Sequence, residues 1–177
     1  LGTIAGTLDV GVGRFTLGTS SGAVESAKSL LVSGRSGGEW NGTSGITSSA
    51  AAADLQSGIV RTVGWKANSD DSITVAYAAP GDTNLDGEVN VFDLVNVNGS
   101  GTYGRGNPSN WSQGDFDYNG VTNIFDMVQT NGAGVYGRGS YLPATPPSVN
   151  AVPEPATWLL AFTGLAGGYS MVRRRGA

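Results

Sequence analysis

The sequence of 177 residues contains no cysteine and no histidine. Without thiols and imidazoles the chain has no cysteine nucleophile, no histidine-containing triad, no thiolate zinc site and no disulfide. Charged residues are scarce, at 14%, whereas glycine is abundant, with 29 residues. Paired carboxylates remain as a route to glycoside hydrolysis, but this composition is unusual for a compact enzyme and favours short elements joined by tight turns.

The chain also lacks a basic patch that would grip phosphates, so nucleic acid is not an expected partner. Its net charge is −4, and the acids are unevenly placed. Residues 81–126 hold seven acids and one base, Arg105, which gives a local net charge of −6. Like charges this close oppose compaction unless cations offset them, so we expect metal binding and folding to be coupled in this segment.

Two loops of twelve residues, 82–93 and 115–126, carry oxygen-bearing side chains at positions 1, 3, 5, 9 and 12 and glycine at position 6. Calcium takes six to eight oxygens, and a loop that reverses at a glycine supplies them from one short segment. The pattern predicts two Ca²⁺ ions. The predicted ligands are Asp82, Asn84, Asp86, Asn90, Asp93 and the Glu88 carbonyl in loop 1, and Asp115, Asp117, Asn119, Asn123, Asp126 and the Val121 carbonyl in loop 2.

The two loops belong to a tandem repeat. Residues 81–106 and 114–139 align at an offset of 33 with 14 identities in 26 positions. Turns rich in Asp, Asn and Gly also form without metal, but two loops in register favour metal binding. After each loop the apolar residues predict about two helical turns, which Asn98-Gly99 and Asn131-Gly132 should end.

Residues 1–80 are predicted to be β-rich, either the end of a β-solenoid or a small sandwich. The alternation of residues 72–78 and the looser alternation of 3–12 indicate strands, and 14–17, 29–33 and 59–65 are further strand candidates. Residues 48–56 are the one helical candidate, with Ser48 or Ser49 as N-cap. The chain begins at Leu1 inside a strand-like run, so we expect it to be a fragment of a longer protein.

The C-terminal part has a different character. A linker rich in proline and small polar residues covers 142–150. Residues 156–172 follow without a charge, long enough for a helix of about 25 Å, near the lower limit for a membrane core. The four residues before this segment and the arginines after it are Val152, Pro153, Glu154 and Pro155, then Arg173, Arg174 and Arg175.

This tail resembles a PEP-CTERM sorting signal, in which a Val-Pro-Glu-Pro motif, a short hydrophobic helix and an arginine cluster follow in that order. The resemblance implies recognition of Pro153, Glu154 and Pro155 by an exosortase, a membrane peptidase-transferase of Gram-negative-type bacteria. It also implies an exported protein at the cell surface, outer membrane or extracellular matrix. The C-terminal helix would be a transient membrane anchor that is removed on processing.

The repeats resemble type I dockerin repeats, in which a calcium loop precedes a single helix. The stretches 77–87 (YAAPGDTNLDG) and 40–55 (WNGTSGITSSAAAADL) also look like those of secreted planctomycete proteins. The resemblance implies a cohesin-like partner protein, or an extracellular polysaccharide. Dockerins often present polar pairs at loop positions 10 and 11, whereas Val91-Phe92 and Ile124-Phe125 stand here. We expect these apolar pairs to pack the two repeats together. We likewise expect a core, in preference to a sugar platform, from the aromatic residues Tyr103, Trp111, Phe116, Tyr118 and Tyr136.

These features favour a non-enzymatic, calcium-stabilised surface protein of mixed fold. One alternative is the tail of a secreted polysaccharide-degrading enzyme whose catalytic domain precedes Leu1, and another is a β-solenoid adhesin. No acid in residues 1–80 lies in a recognisable catalytic site. The predicted organisation is a β-rich region (1–80), dockerin-like repeats (81–140), a linker with the VPEP motif (141–155) and a sorting helix with its arginine tail (156–177).

Overall fold

The computed structural model describes residues 6–18 and 23–143. These residues form short strands and four helices, so the fold is mixed α/β. In chain order the elements are β1 (Thr7–Asp9), β2 (Arg14–Leu17), α1 (Ala23–Arg35), β3 (Gly45–Thr47), α2 (Ser49–Gln56), β4 (Thr62–Ala67), β5 (Ile73–Ala78), α3 (Val91–Ser100) and α4 (Ile124–Ala133), with 3₁₀ turns at Ser36–Gly38 and Trp111–Gln113.

The strands make two small sheets. β5 is the central strand of an antiparallel sheet of order β2-β5-β4, in which Val75 pairs with Phe15 on one side and Trp65 on the other. β1 pairs with β3 in parallel, with Leu8 opposite Ile46. Because β5 has neighbours on both edges and packs into the core, Ile73 and Val75 are fully buried.

One hydrophobic core joins the β-rich region to the repeats. Trp111 and Phe116 from the second repeat pack in the same cluster as Val63 and Trp65 of β4. A Cβ on Gly64 would lie 2.6 Å from the Trp111 ring, so glycine is needed for this close approach. The described residues up to Leu142 belong to one compact unit. Contacts of this core cross the boundary predicted at residue 80, which stays a prediction.

The strand predicted at residues 29–33 is wrong, because α1 covers this segment. Ala27 and Leu31, one helical turn apart, are fully buried. A Cβ on Gly34 would lie 1.7 Å from the Ile46 carbonyl oxygen, so the helix packs directly on β3 through a glycine. The described residues accordingly form neither a β-solenoid end nor a sandwich. A short apolar run such as 29–33 fits a strand as well as a helix, and the helical period becomes visible only over three turns.

Other predicted elements are confirmed. The strands at 14–17 and 72–78 appear as β2 and β5, and that at 59–65 appears as β4, shifted toward the C terminus. Of 3–12, the described part contains β1. Helix α2 begins after Ser48, whose side chain accepts a hydrogen bond from the Ala51 N–H at 3.0 Å.

The repeat helices are longer than predicted. α3 and α4 each have ten residues and pass through the Asn-Gly pairs that were expected to end them. They end at Gly101 and Gly134, where φ is 66° and 68°. A glycine inside a helix costs about 1 kcal/mol relative to alanine, whereas a left-handed residue at the C-cap satisfies the last carbonyls. The terminating signal is therefore the later glycine.

Among the described residues, no helix has the length and apolar character needed to cross a bilayer. The predicted sorting helix at 156–172, most of the linker and the VPEP motif lie outside the described residues.

Candidate metal centre

The two repeats pack against each other by equivalent contacts, related by the offset of 33. The Gly104 N–H donates to the Thr122 carbonyl at 2.9 Å, and the Gly137 N–H donates to the Val89 carbonyl at 2.8 Å. In each case a residue after the helix of one repeat binds position 8 of the other repeat's loop. The repeats are therefore arranged as a reciprocal pair.

Glycines before the loops allow this pairing. A Cβ on Gly81 would lie 2.6 Å from Thr130 Cγ2 in α4, and one on Gly114 would lie 3.1 Å from Val97 Cγ2 in α3. These are equivalent positions of the two repeats, and φ is 109° and 108° at the two glycines. The helices thus approach the opposite repeat through Val97 and Thr130.

The apolar pairs at loop positions 10 and 11 do not pack the repeats together, contrary to the expectation from sequence. Phe92 is 69% exposed and Phe125 is 67% exposed. The pairs stand exposed at the helix starts, and the contact between the repeats is made instead by position 8 and by the helix residues Val97 and Thr130. Both repeats expose the same positions, and the full set is Val91, Phe92, Val95, Ile124, Phe125 and Val128.

The aromatic residues near the repeats divide into two groups. Trp111 and Phe116 are buried with ring centroids 4.9 Å apart, and Tyr118 packs against the same core. Tyr103 and Tyr136, which occupy equivalent positions, are 40% and 48% exposed. The predicted aromatic core is confirmed for Trp111, Phe116 and Tyr118 and wrong for Tyr103 and Tyr136.

Loop 2 brings three carboxylates together. One oxygen each from Asp115, Asp117 and Asp126 lies within 4.8 Å of the other two. Asp115 is 2% exposed; its Oδ2 accepts the Gly120 N–H at 3.0 Å, and its Oδ1 is buried with no hydrogen-bond partner. Burial raises the pKa of Asp115 to about 6, and the neighbouring charges of Asp126 and Asp117 act in the same direction.

The rest of loop 2 is ordered by its own side chains. The Asp117 carboxylate accepts the Asn119 N–H at 2.9 Å, and the Asn119 side-chain oxygen accepts the Val121 N–H at 2.9 Å. Asn123 is the N-cap of α4 and Asp126 completes the capping box, accepting the Asn123 N–H at 2.8 Å. Positions 9 and 12 therefore serve the loop and the helix start together.

Loop 1 has the same backbone path. Leu85 and Tyr118, both at position 4, have φ of 61° and 64°, and the position 6 glycines, Gly87 and Gly120, have φ of 91° and 89°. Asn90 and Asp93 form the capping box of α3, as Asn123 and Asp126 do for α4. The same spacing of Asp, Asn and Gly therefore gives the same backbone conformation in both loops.

The first aspartate of loop 1 has different partners from that of loop 2. Asp82 Oδ2 accepts hydrogen bonds from the Gly87 N–H at 2.9 Å and from the Tyr141 hydroxyl at 2.5 Å, and Oδ1 accepts the Asp86 N–H at 3.2 Å. Burial raises the pKa of Asp82, while the Tyr141 hydrogen bond opposes that shift. Among the described acids, only loop 2 forms a close cluster of three; Asp86 and Glu88 of loop 1 are exposed.

Residues outside loop 1 also hold its backbone. The Lys66 ammonium donates to the Asn84 carbonyl at 2.7 Å, and the Arg14 guanidinium donates to the Leu85 carbonyl at 2.8 Å. Sequence reasoning missed these two bases and Tyr141. No spacing motif marks them, because the sheet brings Arg14 and Lys66 to the loop from distant parts of the chain.

Beyond the described residues, a comparison with protein-family models identifies the tail. Residues 151–175 match the PEP-CTERM protein-sorting motif. The match supports the PEP-CTERM assignment and implies an exported protein that is sorted to the cell surface. No curated protein and no solved structure matches the chain.

Proposed function

We propose that this chain is a non-catalytic, calcium-binding, dockerin-like module of an exported surface protein, in which two Ca²⁺ ions stabilise the repeat pair. The observation that carries the proposal is the Asp115 carboxylate. It is buried beside two further acids, and its Oδ1 has no hydrogen-bond partner. An unpartnered buried carboxylate is costly, and a hard cation held by oxygens removes that cost.

The donor set of loop 2 fits calcium. Carboxylates come from positions 1, 3 and 12, an amide oxygen comes from position 5, and the backbone carbonyl of Val121 stands at position 7. Calcium accepts such mixed oxygen ligands at variable geometry, whereas magnesium demands a strict octahedron and retains water. We infer that Asp115, Asp117, Asn119 and Asp126 hold the ion with the Val121 carbonyl.

Loop 1 would take the second ion through the equivalent positions, with Asp82, Asp86 and Asp93 as its acids. In both loops the position 6 glycine binds Oδ2 of the first aspartate. Tyr141 also binds Oδ2 of Asp82. Its hydrogen bond orients that carboxylate and leaves the Oδ1 side directed to the loop, so Tyr141 is a positioning residue and not a competitor of the ion.

Metal binding and helix formation are linked because they use the same residues. Asp126 caps α4 and belongs to the acidic cluster. Neutralising the cluster therefore removes repulsion at the point where the helix begins. We expect affinities suited to the extracellular concentration, on the order of 10⁻⁴ to 10⁻³ M, as in other extracellular calcium modules.

The exposed apolar pairs favour a protein partner over a polysaccharide as the target of the repeats. Phe92 and Phe125 present large apolar side chains at equivalent positions. Exposed apolar side chains repeated at equivalent positions are typical of a protein contact surface, whereas sugar platforms use flat aromatic rings flanked by hydrogen-bonding groups. Attachment to a cohesin-like protein is thus the second part of the proposal.

Calcium titration of the full chain tests the first part. We expect two binding events by calorimetry and a gain of helical circular dichroism on calcium addition after chelation. Asp117→Asn should weaken one event at least tenfold, since it removes one carboxylate from the loop 2 cluster. Glu25→Gln, an equal change of charge at an exposed position outside the loops, should leave both events unchanged. An unchanged helical signal in excess chelator would contradict the coupling.

The alternative is that the chain is the tail of a secreted polysaccharide-degrading enzyme, which would place a catalytic domain before Leu1. Reading the open reading frame upstream separates the two: a catalytic domain there would make this module an appendage of an enzyme. The calcium proposal for the repeats is the same in both cases.

A further inference from the structure

A cavity lined by none of the predicted calcium ligands carries an inference of its own. Its volume is about 170 Å³, and it lies where the end of α1, the start of β4 and α4 meet. Cavities of about 150 Å³ hold one six-membered ring. The lining residues that matter for the argument are Arg35, Trp40, Leu55, Arg61, Thr62 and Gln129.

Two half-buried arginines give the cavity its chemistry. Arg35 lies 5.8 Å from the centroid of the Tyr118 ring, and Arg61 lies 5.3 Å from that of Tyr141. Within the part of the chain that the structure describes, neither guanidinium makes an ion pair with a carboxylate. The nearby acid, Asp54, accepts instead the hydroxyl of Tyr77. The Arg61 guanidinium donates through Nη1 to the Val60 carbonyl at 2.7 Å and to the Ala133 carbonyl at 3.4 Å. The Arg35 guanidinium makes no hydrogen bond within the described residues, and half-buried guanidiniums with donors left over favour a carboxylate.

The rest of the lining indicates what carries that carboxylate. Thr62 and Gln129 are residues with a hydroxyl and an amide, groups suited to hydrogen bonds with ring hydroxyls, and Trp40 and Leu55 add apolar lining. Ligand sites of this kind combine apolar walls with a few polar groups that fix orientation. We propose that this cavity binds a sugar acid, one hexuronate ring whose carboxylate pairs with Arg35 and Arg61.

Titrating the full chain with glucuronate at one fixed calcium concentration tests the proposal, with nitrogen-resolved NMR following the Trp40 indole and the arginine side chains. We expect saturable shifts that localise to the cavity. Glucose, which has a hydroxymethyl group in place of the carboxylate, should bind at least tenfold more weakly, because charge-assisted hydrogen bonds are lost. Equal binding of glucose, or no binding of glucuronate, would overturn the proposal.

Substitutions distinguish glucuronate binding in the cavity from binding to other positively charged parts of the chain. Arg35→Gln should weaken glucuronate binding about 10- to 100-fold, which is the range for losing a hydrogen bond to a charged group. Arg35→Lys keeps the charge, retains part of the binding and checks that the fold tolerates the change. Arg138→Gln, an exposed arginine outside the cavity, and the triple variant R173Q/R174Q/R175Q should bind as the parent does. If Arg35→Gln binds as the parent does, the assignment is wrong.

A third ligand tests the sugar part of the assignment. Cyclohexanecarboxylate has the ring and the carboxylate but no hydroxyls, so it should bind more weakly than glucuronate if Thr62 and Gln129 read the hydroxyls. Binding as tight as that of glucuronate would overturn the sugar class. No predicted calcium ligand lines the cavity, and all titrations use one calcium concentration, so this outcome does not decide the calcium proposal.

Discussion

Loop 1 and loop 2 share spacing, conformation and helix caps, yet their first aspartates stand in different surroundings. The Asp82 carboxylate has hydrogen bonds on both oxygens, one of them from Tyr141. The Asp115 carboxylate has a partner on Oδ2 alone. Under the offset of 33 the counterpart of Tyr141 is Pro108, which has no hydroxyl to donate. The first carboxylate of loop 1 is therefore held on both oxygens by other parts of the protein, whereas that of loop 2 keeps one buried oxygen without a hydrogen-bond partner.

The difference shows that the spacing of polar residues determines the loop conformation. The surrounding fold determines which charges and hydrogen-bond donors stand near each carboxylate. Arg14 and Lys66 place two positive charges on the backbone of loop 1. The three acids of loop 2 meet each other instead. We therefore expect loop 2 to depend on calcium for its stability more than loop 1 does.

The largest expected effect comes from neutralising the unpartnered carboxylate. Asp115→Asn should stabilise the calcium-free chain at pH 7 by about 3 kcal/mol, since that is the cost of holding a carboxylate ionised where its pKa is about 6 instead of 3.8. With calcium present the same variant should be less stable than the parent, because it loses a charged ligand. Urea unfolding with and without chelator measures both.

Asp82→Asn is the matched variant in loop 1. It should give a smaller gain without calcium, because the ionised form of Asp82 already receives hydrogen bonds that the substitution weakens. Equal gains in unfolding free energy from the two variants would show that the surroundings of the two aspartates have the same effect on stability, and the proposed difference between the loops would be wrong.

Removing the tyrosine hydroxyl should make loop 1 more like loop 2. Tyr141→Phe deletes the donor to Asp82, and hydrogen bonds to charged groups contribute about 1.5–3 kcal/mol, so we expect a loss of about 2 kcal/mol in unfolding free energy. Calorimetry should show weaker calcium binding at loop 1 and no change at loop 2. Tyr136→Phe changes an exposed tyrosine of the same segment and should have no effect; a similar loss in both variants would contradict the role of Tyr141.

Much of this site was predictable from the sequence, and the reason is local. The position 6 glycines and the Asx turns act over two to five residues, so the spacing of Asp and Asn determines the loop conformation. The features that could not be predicted depend on contacts between residues far apart in the sequence. Tyr141 is 59 residues from Asp82, and Arg14 is 71 residues from Leu85. The apolar pairs show the same limit, because position 8 and the helix residues Val97 and Thr130 took the packing role assigned to positions 10 and 11.

The pH dependence should have opposite signs with and without calcium. The pKa of Asp115 is raised to about 6 in the folded chain. The folded state therefore binds more protons than the unfolded state between pH 4 and pH 6, and stability without calcium falls as the pH rises through that range. From pH 5 to pH 7 the loss is about 1 kcal/mol. Asp82 and Asp126, whose pKa values are also raised by burial, act in the same direction.

Calcium binds the deprotonated carboxylates, so affinity should rise over the same pH range. Urea unfolding at several pH values, with chelator or with saturating calcium, shows both trends. Asp115→Asn should remove most of the slope in chelator; a slope that persists in this variant would assign the effect to other acids.

The smallest effect on stability is expected at the two exposed phenylalanines, where the two repeats are alike. Phe92→Ser and Phe125→Ser each remove a side chain that is about two-thirds exposed, and substitutions at such positions usually change stability by less than about 0.5 kcal/mol. Thermal unfolding should confirm this for both variants. A loss of several kcal/mol in either would show that the pair packs the repeats after all. Because the two substitutions should leave the fold stable, a large effect on attachment to a partner protein would come from the loss of the exposed side chain. Unequal effects of the two variants on attachment would show that the exposed surfaces of the two repeats differ, as their loops do.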